Sequence, residues 1–300
     1  LDDSPEKGAV LAEARETSML GKMGLFFWAC AVGVSVSLDG KSKVILNNHS
    51  RQPQMHAVQV PFLVMAFALV PLSVASFVSR AEMKSPPPRA CFAGACTLSS
   101  FASVLTSAYV GFQVTFIVQL LGTMCMSALV DFMSKDVLTG TRVIGVLCVF
   151  VSAGLLIVGD LQSTTSTQSE ELSGRTKFLC MVLVAVTGAG FVVQASGNAA
   201  LKEALGSPFR VALLCNVVTM LCWAPMLAVA NEPMQMELSD WPLWVYSVAQ
   251  NIFYISSMSV IPKHLSYGAT FVSVISGQLI TATVLDMLDA SDGSTMVRSS

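Results

Sequence analysis

"FVSVISGQLITATVLD", residues 271–286, nearly repeats the earlier stretch "FIVQLLGTMCMSALVD", residues 116–131. Both follow a Thr, carry a glycine six residues after the Phe (Gly122 and Gly277), continue without a charge, and stop at an Asp (Asp131 and Asp286). The offset of 155 from Phe116 to Phe271 also matches Pro53 with Pro208, Ala57 with Ala212, Met65 with Met220, Leu72 with Leu227, Pro87 with Pro242 and Thr115 with Thr270. One offset maintained without a gap over that length indicates an internal duplication. Upstream of Pro53 the best reading changes to an offset of 157, which sets "GVSVSLDGK" (33–41) against "GFVVQASGN" (190–198). This pairs Gly33 with Gly190, Ser37 with Gln194, Gly40 with Gly197 and Lys41 with Asn198. Those positions share one helical face; glycines there let another helix approach closely, and the polar members face protein or water.

The repeat lies in a membrane protein. Of 300 residues 53% are hydrophobic and 12% charged, with a mean hydropathy of +0.66, against roughly 25% charged residues in an average soluble domain. Charge-free runs lie between Lys177 and Lys202, between Arg210 and Glu232, and between His264 and Asp286; between Arg51 and Arg80 only His56 can ionise near neutral pH. Each exceeds the roughly 18 residues that mark a spanning helix. A net charge of −2 with no basic cluster sets nucleic-acid partners aside. The eight cysteines fall in apolar segments with no Cys-x-x-Cys and read as small buried hydrophobes, so no metal and no cofactor are expected. Leu1 in place of Met, and a polar opening segment unlike a signal sequence, suggest a piece of a longer chain.

Hydropathy predicts nine spans, at about 22–46, 55–79, 90–110, 112–132, 142–160, 177–200, 208–231, 241–262 and 266–287. The third and fourth form one uncharged block that must turn near Gly111. Asp39, Lys41 and Lys43 place the second half of the first helix at the bilayer surface or along a wet cavity. An N-terminus in the cytoplasm puts eleven of the 17 Lys and Arg residues on the inner side, as the positive-inside rule requires.

Parity then sets the architecture. A unit of five spans is odd, so its copy crosses the bilayer upside down, the inverted-topology arrangement of secondary transporters. The expected fold is an all-α integral membrane protein of two inverted five-helix repeats. Residues 1–21 form a polar N-terminal segment, 22–160 the first repeat, 161–176 a polar external linker, 177–287 the second repeat with four helices, and 288–300 a polar end. By this count a tenth helix would follow Ser300.

Three segments of the second half resemble the YdcZ-like branch of the drug/metabolite transporter superfamily: "QASGNAALKEALGSPFRVALL" (194–214), "DWPLWVYSVAQNIFYISSMSVIPKHLSYGATF" (240–271) and "SGQLITATVLD" (276–286). The shared features are Asn198, Gly206-Ser207-Pro208, Pro262, Gly277-Gln278-Leu279 and Asp286. The resemblance implies a ten-helix, EamA-like architecture, cytoplasmic termini and export of a small molecule, with no substrate specified. The first half departs from the pattern, with Gly122-Thr123-Met124 in place of Gly-Gln-Leu and Lys41 in place of Asn.

Candidate pathway residues follow from the cost of placing amides in lipid. Gln278, beside the helix glycine Gly277, must face protein or a cavity, making either a helix-to-helix hydrogen bond or a substrate contact. Gln194 and Asn198 share the glycine face of the sixth span, with Ser37 and Lys41 as their first-half counterparts. Gln119 belongs to the fourth span. Gln250 and Asn251 point about 100° apart, so one of them, taken as Asn251, is expected to face the cavity. Asp131 and Asp286 end their helices, either as solvated charges or as gating contacts with a Lys or Arg. The membrane segments contain no His-Glu-x-x-His, no paired acids and no Ser with a basic partner, so no catalytic residues and no enzyme are expected. The expected partners are the lipid bilayer and a small-molecule substrate, with a homodimer compatible. The alternative reading is a non-transporting receptor or assembly subunit.

Overall fold

A computed structural model describes residues 5–48, 53–97, 112–133, 174–230 and 240–296. Its elements are α1 (Pro5–Asn48), α2 (Pro53–Val78), α3 (Pro88–Cys91) with a 3-10 helix (Phe92–Thr97), α4 (Phe112–Met133), α5 (Gly174–Leu205), α6 (Pro208–Ala230), α7 (Trp241–Met258), α8 (Ile261–Leu265) and α9 (Tyr267–Met296). Among the described residues every regular element is helical. The expected turn at Gly111, most of the third span, the whole fifth span and the start of the linker lie outside the described residues.

Among the described residues four helical segments are long and apolar enough to cross a bilayer: Gly21–Lys43, Gln59–Val78, Arg175–Leu205 and Pro208–Ala228; Val118–Met133 is a shorter apolar helix. α7 and α9 stand where the eighth and ninth spans were expected, but the eighth ends at Met258 and a separate short helix, α8, follows. α1 extends far beyond the first span in the N-terminal direction, and α9 continues into the polar C-terminal segment. Among the described residues the exterior is largely apolar and many polar side chains are buried, the reverse of a water-facing surface. Phe77, Val70 and Leu221 are largely exposed, whereas Gln194, Asn198, Thr219, Ser247 and Thr270 are buried. This inversion suits lipid as the surrounding solvent, where polar groups must be satisfied within the protein.

The helix ends follow from local chemistry. α5 stops at Gly206, whose φ of +70° is the left-handed C-terminal conformation and whose N–H donates to Lys202 O at 2.9 Å. A side chain there would also strike Glu82 O, 2.7 Å from the Cβ position. Pro208 then opens α6, where its missing N–H costs nothing. The Gly-Ser-Pro of the sequence is therefore a helix stop followed by a helix start. Arg210 fastens this corner to the end of α2: its guanidinium donates to the carbonyls of Ala81 (2.7 Å), Leu205 (3.0 Å), Ser79 (2.5 Å) and Ser76 (3.4 Å).

Helices pack in pairs. α1 lies along α9, α4 along α5 and α2 along α6, while α4 also meets α9. Glycines set the first two distances. A Cβ at Gly33 would stand 1.8 Å from Val274 O, and one at Gly277 would stand 2.1 Å from Cys30 O, so the α1 and α9 backbones touch. The same holds for α4 and α5, where Gly188 faces Gln119 O at 2.0 Å and Gly122 faces Ala185 O at 1.8 Å. Two apolar clusters fill the interior: Ala29, Val32, Val192, Met258, Ile261 and Phe271 around α1, α5 and α9, and Leu72, Leu201, Val211, Cys215 and Ile255 around α2, α5 and α6.

These contacts correct the register at the first helix. Gly33 and Gly188 occupy equivalent positions in the two glycine pairs, and so do Gly122 and Gly277; both separations are 155. The offset of 157, which matched Gly33 with Gly190, is replaced. "TGAG" (187–190) offers two glycines two residues apart, and backbone contact with the neighbouring helix distinguishes them where sequence does not.

Candidate functional site

The helix pairs border a partly open cavity of about 290 Å³, at the lower edge of the range for small-molecule sites. α1 contributes Val36, Asp39 and Lys43; α2 contributes Pro61 and Met65; α4 contributes Gln119, Leu120 and Thr123. From the second half come Phe191 and Gln194 of α5, Trp223 of α6, Gln250, Asn251, Tyr254 and Ile255 of α7, and Phe271, Val274, Ile275 and Gln278 of α9. The wall is thus an apolar and aromatic surface with amides, the hydroxyls of Thr123 and Tyr254 and one ion pair set into it.

Of the residues singled out in the sequence, the structure brings Gln119, Gln194, Asn251 and Gln278 to this wall. Gln250 joins them: the cavity extends around α7 far enough to meet two consecutive side chains, where one was expected. The other candidates do not line the cavity. Asn198 is buried behind it and accepts a hydrogen bond from Cys215 Sγ at 2.8 Å, a packing role. Ser37 Oγ donates to the main-chain O of Gln278 at 3.0 Å and joins α1 to α9. Gly277 serves the same interface by its lack of a side chain. Lys41 is absent from the wall, and Gly40 has nothing within 4 Å of its Cβ position. The cavity face of α1 therefore runs through Val36, Asp39 and Lys43, at i, i+3 and i+7, and not through Gly33, Ser37, Gly40 and Lys41.

Asp39 and Lys43 are two of the first-helix charges that the sequence places at the bilayer surface or along a wet cavity. Asp39 is 4% exposed, and its Oδ2 lies 2.5 Å from Lys43 Nζ one turn on. Their spacing of four residues was visible in the sequence and could have flagged a same-face pair. What was not visible is that the pair faces inward.

At the far end of α4, Asp131 is not a solvated charge, and among the described residues no Lys or Arg pairs with it. It is 3% exposed, and its two oxygens accept the main-chain N–H groups of Tyr267 (3.0 Å) and Gly268 (2.9 Å), the first two residues of α9. Ser266 Oγ, at 3.4 Å, approaches the next amide, Ala269. The carboxylate meets the positive end of the α9 dipole and satisfies amides that a helix start leaves unbonded. Lys263, four residues before Tyr267, forms an ion pair with Glu203 of α5. The side chain of Asp286 lies outside the described residues.

Thr123 Oγ1 bonds both Gln119 O (2.9 Å) and Gly188 O (3.1 Å), fixing α4 to α5 beside the cavity. Among the described residues no cluster of three or more His, Cys, Asp or Glu could hold a metal. Of the described cysteines Cys215 is buried and Cys125 is exposed on the outer surface, so burial does not apply to all of them.

Apolar spans on the outside and a polar-set cavity within define a multi-pass integral membrane protein. Residues 179–293, from the first turns of α5 through most of α9, match the family described as "Putative inner membrane exporter, YdcZ". This is the family that Gly206-Ser207-Pro208 and Gly277-Gln278-Leu279 resemble. The match is to an exporter family, not to an enzyme family. No curated protein matches the chain.

Proposed function

We propose that the protein is a secondary exporter that moves a small organic molecule by alternating access between two inverted repeats, units 22–160 and 177–287, with the N-terminus in the cytoplasm. One observation carries this reading: ten of the nineteen residues that line the cavity form five pairs 155 residues apart. Val36 and Phe191, Asp39 and Gln194, Gln119 and Val274, Leu120 and Ile275, and Thr123 and Gln278 all face the same space. The helix contacts beside it obey the same offset: Gly33 against Val274 O and Gln278 N corresponds to Gly188 against Gln119 O and Thr123 N. An inverted repeat that surrounds a site with equivalent helices from both halves can expose that site to either side at similar cost. The match of residues 179–293 to an exporter family supports the same conclusion. No observation favours the receptor or assembly-subunit alternative.

The wall is chemically asymmetric. Asp39 faces Gln194 across the pseudo-symmetry, and Thr123 faces Gln278. The two access states therefore present the same groups from different sides.

The test is sided cysteine labelling. In a background without native cysteines, Thr123→Cys and Gln278→Cys are labelled with a membrane-impermeant maleimide in right-side-out and inverted vesicles. Alternating access predicts that each position is reached from both sides. Reaction of both positions from one side only, in every condition, sinks the proposal.

A further inference from the structure

We infer that the cavity binds protonated amines that carry N–H donors, the ligand ammonium taking the place that Lys43 holds at Asp39 in the empty site. This rests on the reading of the cavity as the substrate site and specifies its ligand chemistry.

The inference begins with hydrogen-bond demand. A carboxylate only accepts hydrogen bonds, with room for several donors on its two oxygens. Asp39, which lines the cavity, has Lys43 at Oδ2, while its Oδ1 is buried without a donor among the described residues. A second wall residue repeats the deficit: Asn251 Oδ1 is buried and has no donor either. Buried acceptors left unbonded are costly, most of all on an ion. The cavity thus asks its ligand for donors, and at Asp39 for positive charge as well.

Lys43 explains how the empty site exists. An acid enclosed in a spanning helix needs a counter-charge, and Lys43 supplies it from one turn away. Its side chain retains 31% exposure, against 6% for that of Asp39, and it lies near the end of α1. The long flexible stem lets the ammonium withdraw toward water when another cation arrives. Lys43 is then a tethered competitor for the ligand.

The rest of the wall fits the organic part of such a ligand. Trp223, Tyr254 and Phe271 give aromatic surface, and Gln194 and Gln278 give neutral polar groups. A primary ammonium brings three N–H donors, a trimethylammonium none, and an alcohol one donor without charge.

The experiment uses the purified full chain and three probes of one shape: 2-phenylethylamine, its N,N,N-trimethyl counterpart and 2-phenylethanol, with binding followed by isothermal titration. The amine is expected to bind at least about tenfold tighter than either of the others, the scale of a charge-assisted hydrogen bond. Asp39→Asn is expected to abolish that preference and Lys43→Met to tighten amine binding. Equal or tighter binding of the trimethyl compound or the alcohol, binding of none of the three, or a preference that survives Asp39→Asn would overturn the inference. The comparison among probes on the unaltered protein needs no variant to fold. Sided labelling at Thr123 and Gln278 uses no ligand, so the exporter reading stands or falls separately.

Discussion

Alanine at Gly188 tests whether the glycine contacts hold the helix pairs together. The added Cβ would lie 2.0 Å from Gln119 O and 2.9 Å from Thr123 N. A carbon and a carbonyl oxygen ordinarily approach no closer than about 3.3 Å, so α4 and α5 would have to part by about 1.3 Å. Alanine is favoured over glycine in a helix by up to ~1 kcal/mol, while overfilling a packed interface typically costs ~1–3 kcal/mol. The opposing atoms are backbone and cannot escape by changing rotamer, so the cost should win by about 1–2 kcal/mol. Gly33→Ala is expected to behave alike, with its Cβ 1.8 Å from Val274 O. Gly24, which has nothing within 4 Å of its Cβ position, is the control and should tolerate alanine or gain slightly.

Thermal unfolding of detergent-purified variants, followed by loss of the monodisperse elution peak, reads these differences. Gly33→Ala with Gly277→Ala should cost less than the sum of the two, because helices already parted accommodate a second methyl. Gly33→Ala with Gly188→Ala should be additive, because the interfaces are separate. Gly188→Ala at least as stable as the unaltered protein, or full additivity within the α1 and α9 pair, would refute the reasoning.

Two further outcomes follow from the helix ends. Arg210→Lys should destabilise nearly as much as Arg210→Ala, by about 1–3 kcal/mol, because an ammonium cannot fork to the carbonyls of Ser76, Ser79, Ala81 and Leu205; thermal unfolding and protease cleavage between α2 and α3 would show it, and full stability of the Lys variant would refute it. Asp131→Ala should release the first amides of α9 at a cost of about 1–2 kcal/mol, with Asp131→Asn intermediate because its amide offers one acceptor atom in place of two. Hydrogen exchange at Tyr267 and Gly268 measures this directly, and unchanged protection would count against the cap.

The spans of α2, α5 and α6 were legible because each holds a long charge-free run, and the echo between Phe116 and Phe271 gave the offset that five pairs on the cavity wall obey. Reading failed where the deciding partner is remote in sequence. Gly188 and Gly190 are interchangeable on paper, and only contact with Gln119 and Thr123 selects Gly188. Asp39 and Lys43 resemble a helix leaving the membrane until α2, α4, α7 and α9 enclose the space they face. Asp131 at the end of an apolar helix suggests a wet terminus, because nothing nearby in the sequence announces that another helix will begin against it. Asn198 has the composition of a pathway residue and the surroundings of a packing one, a difference made by Cys215.

The close glycine contacts bear on which parts can travel. Backbones that touch, as α1 and α9 do at Gly33 and Gly277 and as α4 and α5 do at Gly122 and Gly188, cannot slide or tilt against each other without a steric collision. Each pair is therefore a stiff lever, and each draws one helix from before residue 160 and one from after it. In an alternating mechanism each mixed pair would travel as one body, and relative motion between the repeats would fall where α4 meets α9 and α2 meets α6. Sequence similarity runs along the chain at an offset of 155, whereas the stiffest contacts join helices across it.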